Sequence, residues 1–295
     1  MTPSPILQSL PLTRWAGPFP EPLCTAAVAA VEAGKILFLP RLAFAVASGE
    51  ADLLDPAVSA AGRKNVSFDA ATGKIGNVAL DARDAARLKA LLVRFAEQSA
   101  ALARGLLPRY RSALEIGRTS FRPVEIAGRE YSRRHDDRRL HVDAFPSRPL
   151  RGKRILRLFA NVAPDGAARA WQAGEPFADF AGKFASKIAP PLPGSAWWLA
   201  RSGVTKGRRS AYDHVMLQLH NRAKLDNRYQ RIAPRHDLRF PPGTVWLCFT
   251  DQVLHAALSG HAALEQTFYV PVDVLAEPAT SPLRVLERLL GRPLV

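Results

Sequence analysis

Arg139-Leu140-His141-Val142-Asp143-Ala144-Phe145 is the stretch whose reading decides the fold. Read as a strand, it sends His141 and Asp143 from one face of a sheet, because side chains alternate with a period of two. That is half of a two-histidine, one-carboxylate site. Such a set covers one face of an octahedron and leaves three positions open, which suits non-haem Fe(II) holding an organic chelator and O2 together. Zinc is the rival occupant, since it takes the same ligands tetrahedrally.

The chain has 7 histidines, so the triplet alone is weak, and His135-Asp136-Asp137 repeats it. The copy lies in Arg133-Arg134-His135-Asp136-Asp137-Arg138-Arg139, too polar for a core strand, and reads as a solvated loop. The partner for His141 and Asp143 comes much later, in Asp251-Gln252-Val253-Leu254-His255-Ala256. A histidine between Leu254, Ala256 and Leu258 is by itself most often a satisfied core residue. Its setting raises it: Pro241-Pro242-Gly243-Thr244, a strand, Asp251, the histidine strand, Ser259-Gly260 and a strand through Glu265-Gln266-Thr267-Phe268 form the order in which a double-stranded β-helix delivers its distal histidine. His214, His220, His236 and His261 lack this arrangement and read as structural or solvated.

With 295 residues, 47% of them hydrophobic and no internal repeat, the chain reads as one elaborated domain over residues 23–275. A Pro-rich arm (1–22) precedes it and an amphipathic tail (276–295) follows. No apolar run approaches the ~20 residues of a membrane span, and the Ala-rich stretch after Pro22 lacks a basic leader, so a cytoplasmic protein is expected. Cys24 and Cys248 are too few for a disulfide framework. Lys+Arg 41 against Asp+Glu 26 gives +15, pointing to an anionic partner: nucleic acid, a phosphorylated sugar or an acidic membrane. No nucleic-acid-binding module is visible, so nucleic acid is not expected; a basic surface kept for solubility is the plain alternative.

Patterning predicts a helix over 23–34, a strand over 35–40, and a long amphipathic helix from Asp81 to about Arg104 with Leu88, Leu91, Leu92, Phe95 and Leu102 on one stripe. Strands follow at 119–126, around His141, and at 154–162; a helix at 176–188; helical pieces within 195–234; and closing strands at 244–249, 253–258 and 264–270. Residues 52–76 are rich in turns and carry no clear element. The fold class is α+β: a double-stranded β-helix (jelly roll, cupin-like) core backed by helices.

The order of these pieces resembles the Fe(II)/2-oxoglutarate-dependent dioxygenases. Within them, Thr119-Ser120-Phe121-Arg122-Pro123-Val124-Glu125-Ile126, the run from Arg139 to Pro149, and Leu264-Glu265-Gln266-Thr267-Phe268 resemble the Kdo hydroxylase family from about Leu23 to Val274. The resemblance implies that His141, Asp143 and His255 bind Fe(II), with 2-oxoglutarate and O2 as cosubstrates. It also implies oxidative decarboxylation to succinate and CO2, and hydroxylation at C3 of 3-deoxy-D-manno-oct-2-ulosonic acid on Kdo-lipid A. The place implied is the cytoplasmic face of a bacterial inner membrane, with peripheral contact. A different anionic substrate for such a hydroxylase, or a non-catalytic basic module for anionic lipid or nucleic acid, are the alternatives.

One departure matters. Many oxygenases of the wider superfamily grip the far carboxylate of 2-oxoglutarate with a cation shortly after the distal histidine, and no Lys or Arg occurs between Phe240 and Pro282. Arg157, set among Leu156, Leu158 and Phe159, is the expected substitute, because a buried guanidinium demands a carboxylate. Arg122 and Arg154 are the runners-up for that role, with neutral help from Asn161, Ser259, Gln266 and Thr267. For a polyanionic substrate the expected contacts are Arg148, Arg151 and Arg154, beside the metal strand. In the tail, Leu283, Leu286, Leu289 and Leu290 share a helical face that suits either a lipid interface or the protein's own core.

Overall fold

In the computed structural model, which describes residues 5–295, two β-sheets face each other and helices cover the outer side of the larger one. The chain begins with strand β1 (Leu7–Ser9), helix α1 (Glu21–Glu32) and strand β2 (Ile36–Leu39). Gly34 takes φ 78°, the left-handed conformation that ends a helix without steric cost. Strands β3 (Val66–Asp69) and β4 (Lys74–Gly76) form a hairpin in the region that patterning left unassigned. Helix α2 (Ala82–Leu106) begins where Asp81 accepts a 2.8 Å bond from the Asp84 N–H, and it buries the predicted stripe. Strands β5 (Glu115–Arg122), β6 (Arg154–Asn161) and β7 (Arg169–Ala173) follow, then α3 (Phe177–Phe184), α4 (Ser195–Arg201), α5 (Ala211–Leu225) and α6 (Asn227–Ile232). The chain closes with β8 (His236–Phe240), β9 (Val245–Phe249), β10 (His255–Ser259), β11 (Ala263–Val270) and α7 (Pro282–Leu290).

The larger sheet runs β1-β2-β9-β6-β11-β5-β3-β4 and the smaller β10-β7-β8. The predicted strand around His141 contracts to one bridge: His141 and His255 exchange N–H···O bonds of 3.0 and 2.8 Å. Thus the triplet borders β10 as a rudimentary fourth strand of the smaller sheet. The reason is local: Arg138 and Asp136 pair within a turn before it, and Pro146 and Pro149 prevent extension after it.

Between the sheets lies an aromatic core. Trp246 stacks on Phe240 (centroids 4.1 Å, 6°) and on Phe159 (5.2 Å, 13°), while Trp171 meets both Phe159 and Trp246 edge-on. The larger hydrophobic cluster lies on the other side of the main sheet, where α2 contributes Leu88, Leu91, Leu92, Phe95 and Leu102. Burial on both faces explains why β9 reads as Val245-Trp246-Leu247-Cys248-Phe249 without alternation. Tail helix α7 buries Leu283, Val285 and Leu286 against the same cluster and packs Leu290 partly on it, while Leu289 stays exposed, so most of the predicted face serves the protein's own core.

Candidate active site

The two sheets leave a pocket at the His141–His255 bridge, lined by Arg122, Asp137, Asp143, Arg157, Arg169 and Glu265 besides the histidines, with Ile126, Phe159, Trp171 and Ala257 as apolar walls. His141, Asp143 and His255 are all buried, and one donor atom of each lies within 4.8 Å of the others. The Nδ1 of His141 is 2.7 Å from the Arg139 carbonyl, and that of His255 is 2.9 Å from the Val253 carbonyl. A carbonyl only accepts, so both rings carry their proton on Nδ1 and turn the Nε2 lone pair inward. His141 Nε2 lies 4.0 Å from Asp143 Oδ1, and Trp171 stacks on His255 (5.1 Å, 19°), fixing its plane. Asp143 Oδ2 is buried without a directed hydrogen bond. Two inward lone pairs and an under-satisfied carboxylate fit a divalent metal.

Electrostatics agree. Burial, reinforced by their mutual proximity and by Lys224, pushes the His141 imidazole well below its usual range, and burial lowers His255 as well, so both stay neutral. Burial would raise the Asp143 carboxyl, but Arg157 and the surrounding imidazoles outweigh it and hold it at about 2. Arg157 Nη1 lies 3.1 Å from Asp143 Oδ2 and 3.3 Å from Glu265 Oε1; Arg122 Nε meets the other Glu265 oxygen at 2.9 Å. Arg122, Glu265, Arg157 and Asp143 therefore form one chain of alternating charge that ends on the ligand set.

The other predicted residues divide. Arg157 and Arg122 line the pocket, but both are already engaged with carboxylates. Arg154 does not reach any site: it is fully buried, gripping Asp251 (Nε–Oδ2 2.7 Å) and Gln252 (2.6 Å) beneath the Phe249 ring, so neither cosubstrate nor substrate can use it. Asn161 spends its amide on the Ala167 and Phe240 carbonyls and the Ala163 N–H. Gln266 turns to the opposite face of β11 from Glu265, to Thr119 at 2.6 Å. Ser259 and Thr267 lie on the strands but not in the pocket. Arg148 and Arg151 line a separate cleft of about 420 Å³ with Lys153, Lys206, Glu115 and Tyr269.

Three pocket residues escaped the sequence reading. Asp137, assigned to solvated loop, instead reaches the pocket, paired with Lys64 at 3.1 Å and Arg122 at 3.7 Å. Glu265 anchors the arginines. Arg169 is buried, donates to the Gly260 carbonyl at 3.0 Å, and among the described residues has no carboxylate within 4.0 Å; burial, with Arg122 nearby, lowers it to about 10. Its signal was present in Arg169-Ala170-Trp171-Gln172-Ala173, whose alternation puts Arg169, Trp171 and Ala173 on one face.

A jelly-roll pocket with two inward imidazoles and one carboxylate, ringed by arginines, defines the class of non-haem metal oxygenases that use a chelating oxo-acid. Within it, the chain belongs to the 3-deoxy-D-manno-oct-2-ulosonic acid (Kdo) hydroxylase family, whose profile matches residues 18–293. It is similar to the solved Kdo hydroxylase KdoO, described as a non-heme Fe(II) alphaketoglutarate-dependent dioxygenase. The complex of that enzyme with alphaketoglutarate and Fe(III) is 44% identical, with 98% of this chain and 97% of that chain covered and a TM-score of 0.94. Its cobalt(II) complex matches at 44% identity, the same coverage and TM-score 0.95, and its complex with succinate and Fe(III) at 43% and 0.94. A comparison with curated proteins finds no significant match.

Proposed function

We propose that this protein hydroxylates C3 of a Kdo sugar carried on lipid A, an inner-core modification of lipopolysaccharide, with Fe(II) at His141, Asp143 and His255 and with 2-oxoglutarate and O2 as cosubstrates. The observation that carries this reading is the charge of the pocket. Three arginines (122, 157, 169) line it with three carboxylates (Asp137, Asp143, Glu265), and a divalent iron entering with a dianionic oxo-acid adds no net charge to this desolvated site.

When bound, iron with 2-oxoglutarate and O2 supplies oxidative hydroxylation of a C–H bond, with release of succinate and CO2. The protein does the rest. The Arg139 and Val253 carbonyls hold the imidazoles in the ligating tautomer, and Arg157 keeps Asp143 ionised. Arg169, without a carboxylate partner among the described residues, and the unsatisfied Nε of Arg157 offer donors to the far carboxylate of the cosubstrate. Phe159, Trp171 and Ile126 wall the pocket with apolar surface. The basic cleft at Arg148, Arg151, Lys153 and Lys206 suits the phosphates of the substrate. Arg151 (φ 51°) and Gly152 (φ 89°) both adopt left-handed backbone there, and the N–H groups of Leu150 and Arg151 donate to Asp213 Oδ1 at 2.7 and 3.1 Å. Strain held by its surroundings in this way marks places where function fixes a side chain.

The test is succinate formation from 2-oxoglutarate with added Fe(II), with and without Kdo-lipid A. Stimulation by the glycolipid is expected, and His141→Ala or Asp143→Ala should lower turnover by at least about 100-fold, the loss that even indirect damage to a metal site can cause. Wild-type turnover indifferent to the glycolipid, or turnover untouched in both variants, overturns the reading.

A further inference from the structure

Helix α4 and its flanks are built unlike the rest of the chain. None of the residues of α4 is buried. Trp197 is 46% exposed and Trp198 66%, with Leu192 at 79% before the helix and Val204 at 57% after it. Of the five tryptophans, Trp171 and Trp246 are buried and Trp15 is tied to the Ala43 carbonyl, so this pair alone faces outward. Trp197 and Trp198 pack edge to face at 4.8 Å, a preformed aromatic knob. Arg201 stands four residues from one and three from the other, on the same side of the helix.

The surrounding charge has one sign. From Phe180 to Tyr212 the sequence contains Lys183, Lys187, Arg201, Lys206, Arg208 and Arg209 and no acidic residue. The segment is held to the rim of the site: Lys206 N–H donates to the Ser147 carbonyl at 2.8 Å, Arg209 bonds the Pro146 carbonyl, and Lys206 also lines the basic cleft. Ser147 is four residues beyond the metal ligand Asp143.

From this juxtaposition we propose that α4 with residues 189–209 is the membrane-docking surface of the protein. Trp197, Trp198, Leu192 and Val204 enter the interfacial layer of a bilayer, and Arg201, Lys206, Arg208 and Arg209 meet its anionic headgroups. Tryptophan is the side chain that settles at the boundary of headgroups and acyl chains, and a short helix with exposed aromatics bordered by cations lies in that plane. An exposed apolar patch of this kind rarely stays uncovered. A second copy of the chain would have to cover the four cations Arg201, Lys206, Arg208 and Arg209 with the same four, whereas an anionic bilayer complements them. The inference rests on the lipid A reading only for what the docked enzyme then reaches: the cleft that shares Lys206 would face the headgroup layer.

The experiment uses the full chain, wild type and Trp197→Ser/Trp198→Ser, with phosphatidylcholine vesicles and with phosphatidylcholine vesicles containing phosphatidylglycerol. Expected for the wild type are cosedimentation favouring the anionic vesicles, weakening with salt, and a blue shift of tryptophan emission on binding. The double variant should bind about tenfold more weakly or less and lose the shift, while keeping its circular dichroism and its succinate formation with a de-acylated, water-soluble Kdo substrate. Equal binding by the variant, binding without a spectral shift, or a wild-type dimer that becomes monomeric in the variant with no vesicle binding by either would overturn it. Turnover of the soluble substrate reports separately on the hydroxylase reading.

Discussion

At the scale of single residues, the pocket turns on which arginine is free. Arg157 was the expected grip for the cosubstrate, yet it lies within 3.3 Å of two carboxylates, one of them in the candidate metal-binding triad; among the described residues Arg169 has none within 4.0 Å. The two should therefore fail differently. Arg169→Gln is expected to raise the 2-oxoglutarate requirement about tenfold or more, as loss of a charged hydrogen bond at a desolvated site does, while leaving Co(II) binding near wild type. Arg157→Gln should raise that requirement and also disturb the metal, since Asp143 loses its cation. Cobalt titration by visible absorption, read beside 2-oxoglutarate kinetics, separates them; identical profiles would remove the distinction. The arginines could not be ranked from sequence because their availability depends on Glu265, which strand register places opposite Phe159, with Arg157 and Arg122 within its reach. An acid in a closing strand between Leu264 and Phe268 was the clue that a cation had to be near it.

At the scale of elements, the 3-10 helix Ser48–Leu54, which precedes β3, is strapped to α2 by charge. Arg94 holds Glu50 through two bonds of 2.8 and 2.6 Å, and Arg87 holds Asp52. The hydrogen bonds from Arg94 draw the Glu50 carboxyl below its ordinary value despite burial. A depressed folded value contributes stability that is present above the unfolded value and is lost as pH falls through the folded one. Glu50→Gln should thus cost about 1 kcal/mol at neutral pH, and the difference from wild type should vanish in acid, below the usual glutamate range. Urea midpoints across pH measure it, and a gap that widens toward low pH would refute it. Helix α2 itself was legible from its stripe, with bounds displaced by a residue or two. Strands β7 and β8 were not assigned, since alternation over only five residues, as in Arg169–Ala173, is too short to stand out from the loops around it.

At the scale of the molecule, one aromatic stack joins the sheets. Trp246 of the larger sheet stacks on Phe240 of the smaller one and on its own sheet neighbour Phe159, and Trp171 carries the aromatic contact to His255. Trp246→Ala should destabilise the fold by about 3–5 kcal/mol. Trp246→Phe should cost clearly less, because the buried indole N–H has no hydrogen-bond partner to lose. Denaturant unfolding tests the order of the two; an equal loss would mean that the stack contributes little by its shape.

His141, Asp143 and His255, the helical backing and the jelly-roll order were determined by the sequence itself, because side-chain chemistry and period-two or 3.6-residue spacing are local properties. Only the tertiary structure decided that the His141 strand shrinks to a bridge, that Arg154 belongs to the core, that Asp137 and Arg169 belong to the pocket, and that α4 rather than α7 shows its apolar side. Those facts depend on which distant segments pack together. An arginine reads the same in sequence whether its carboxylate partner is beside it in space or absent, and a leucine stripe reads the same whatever covers it.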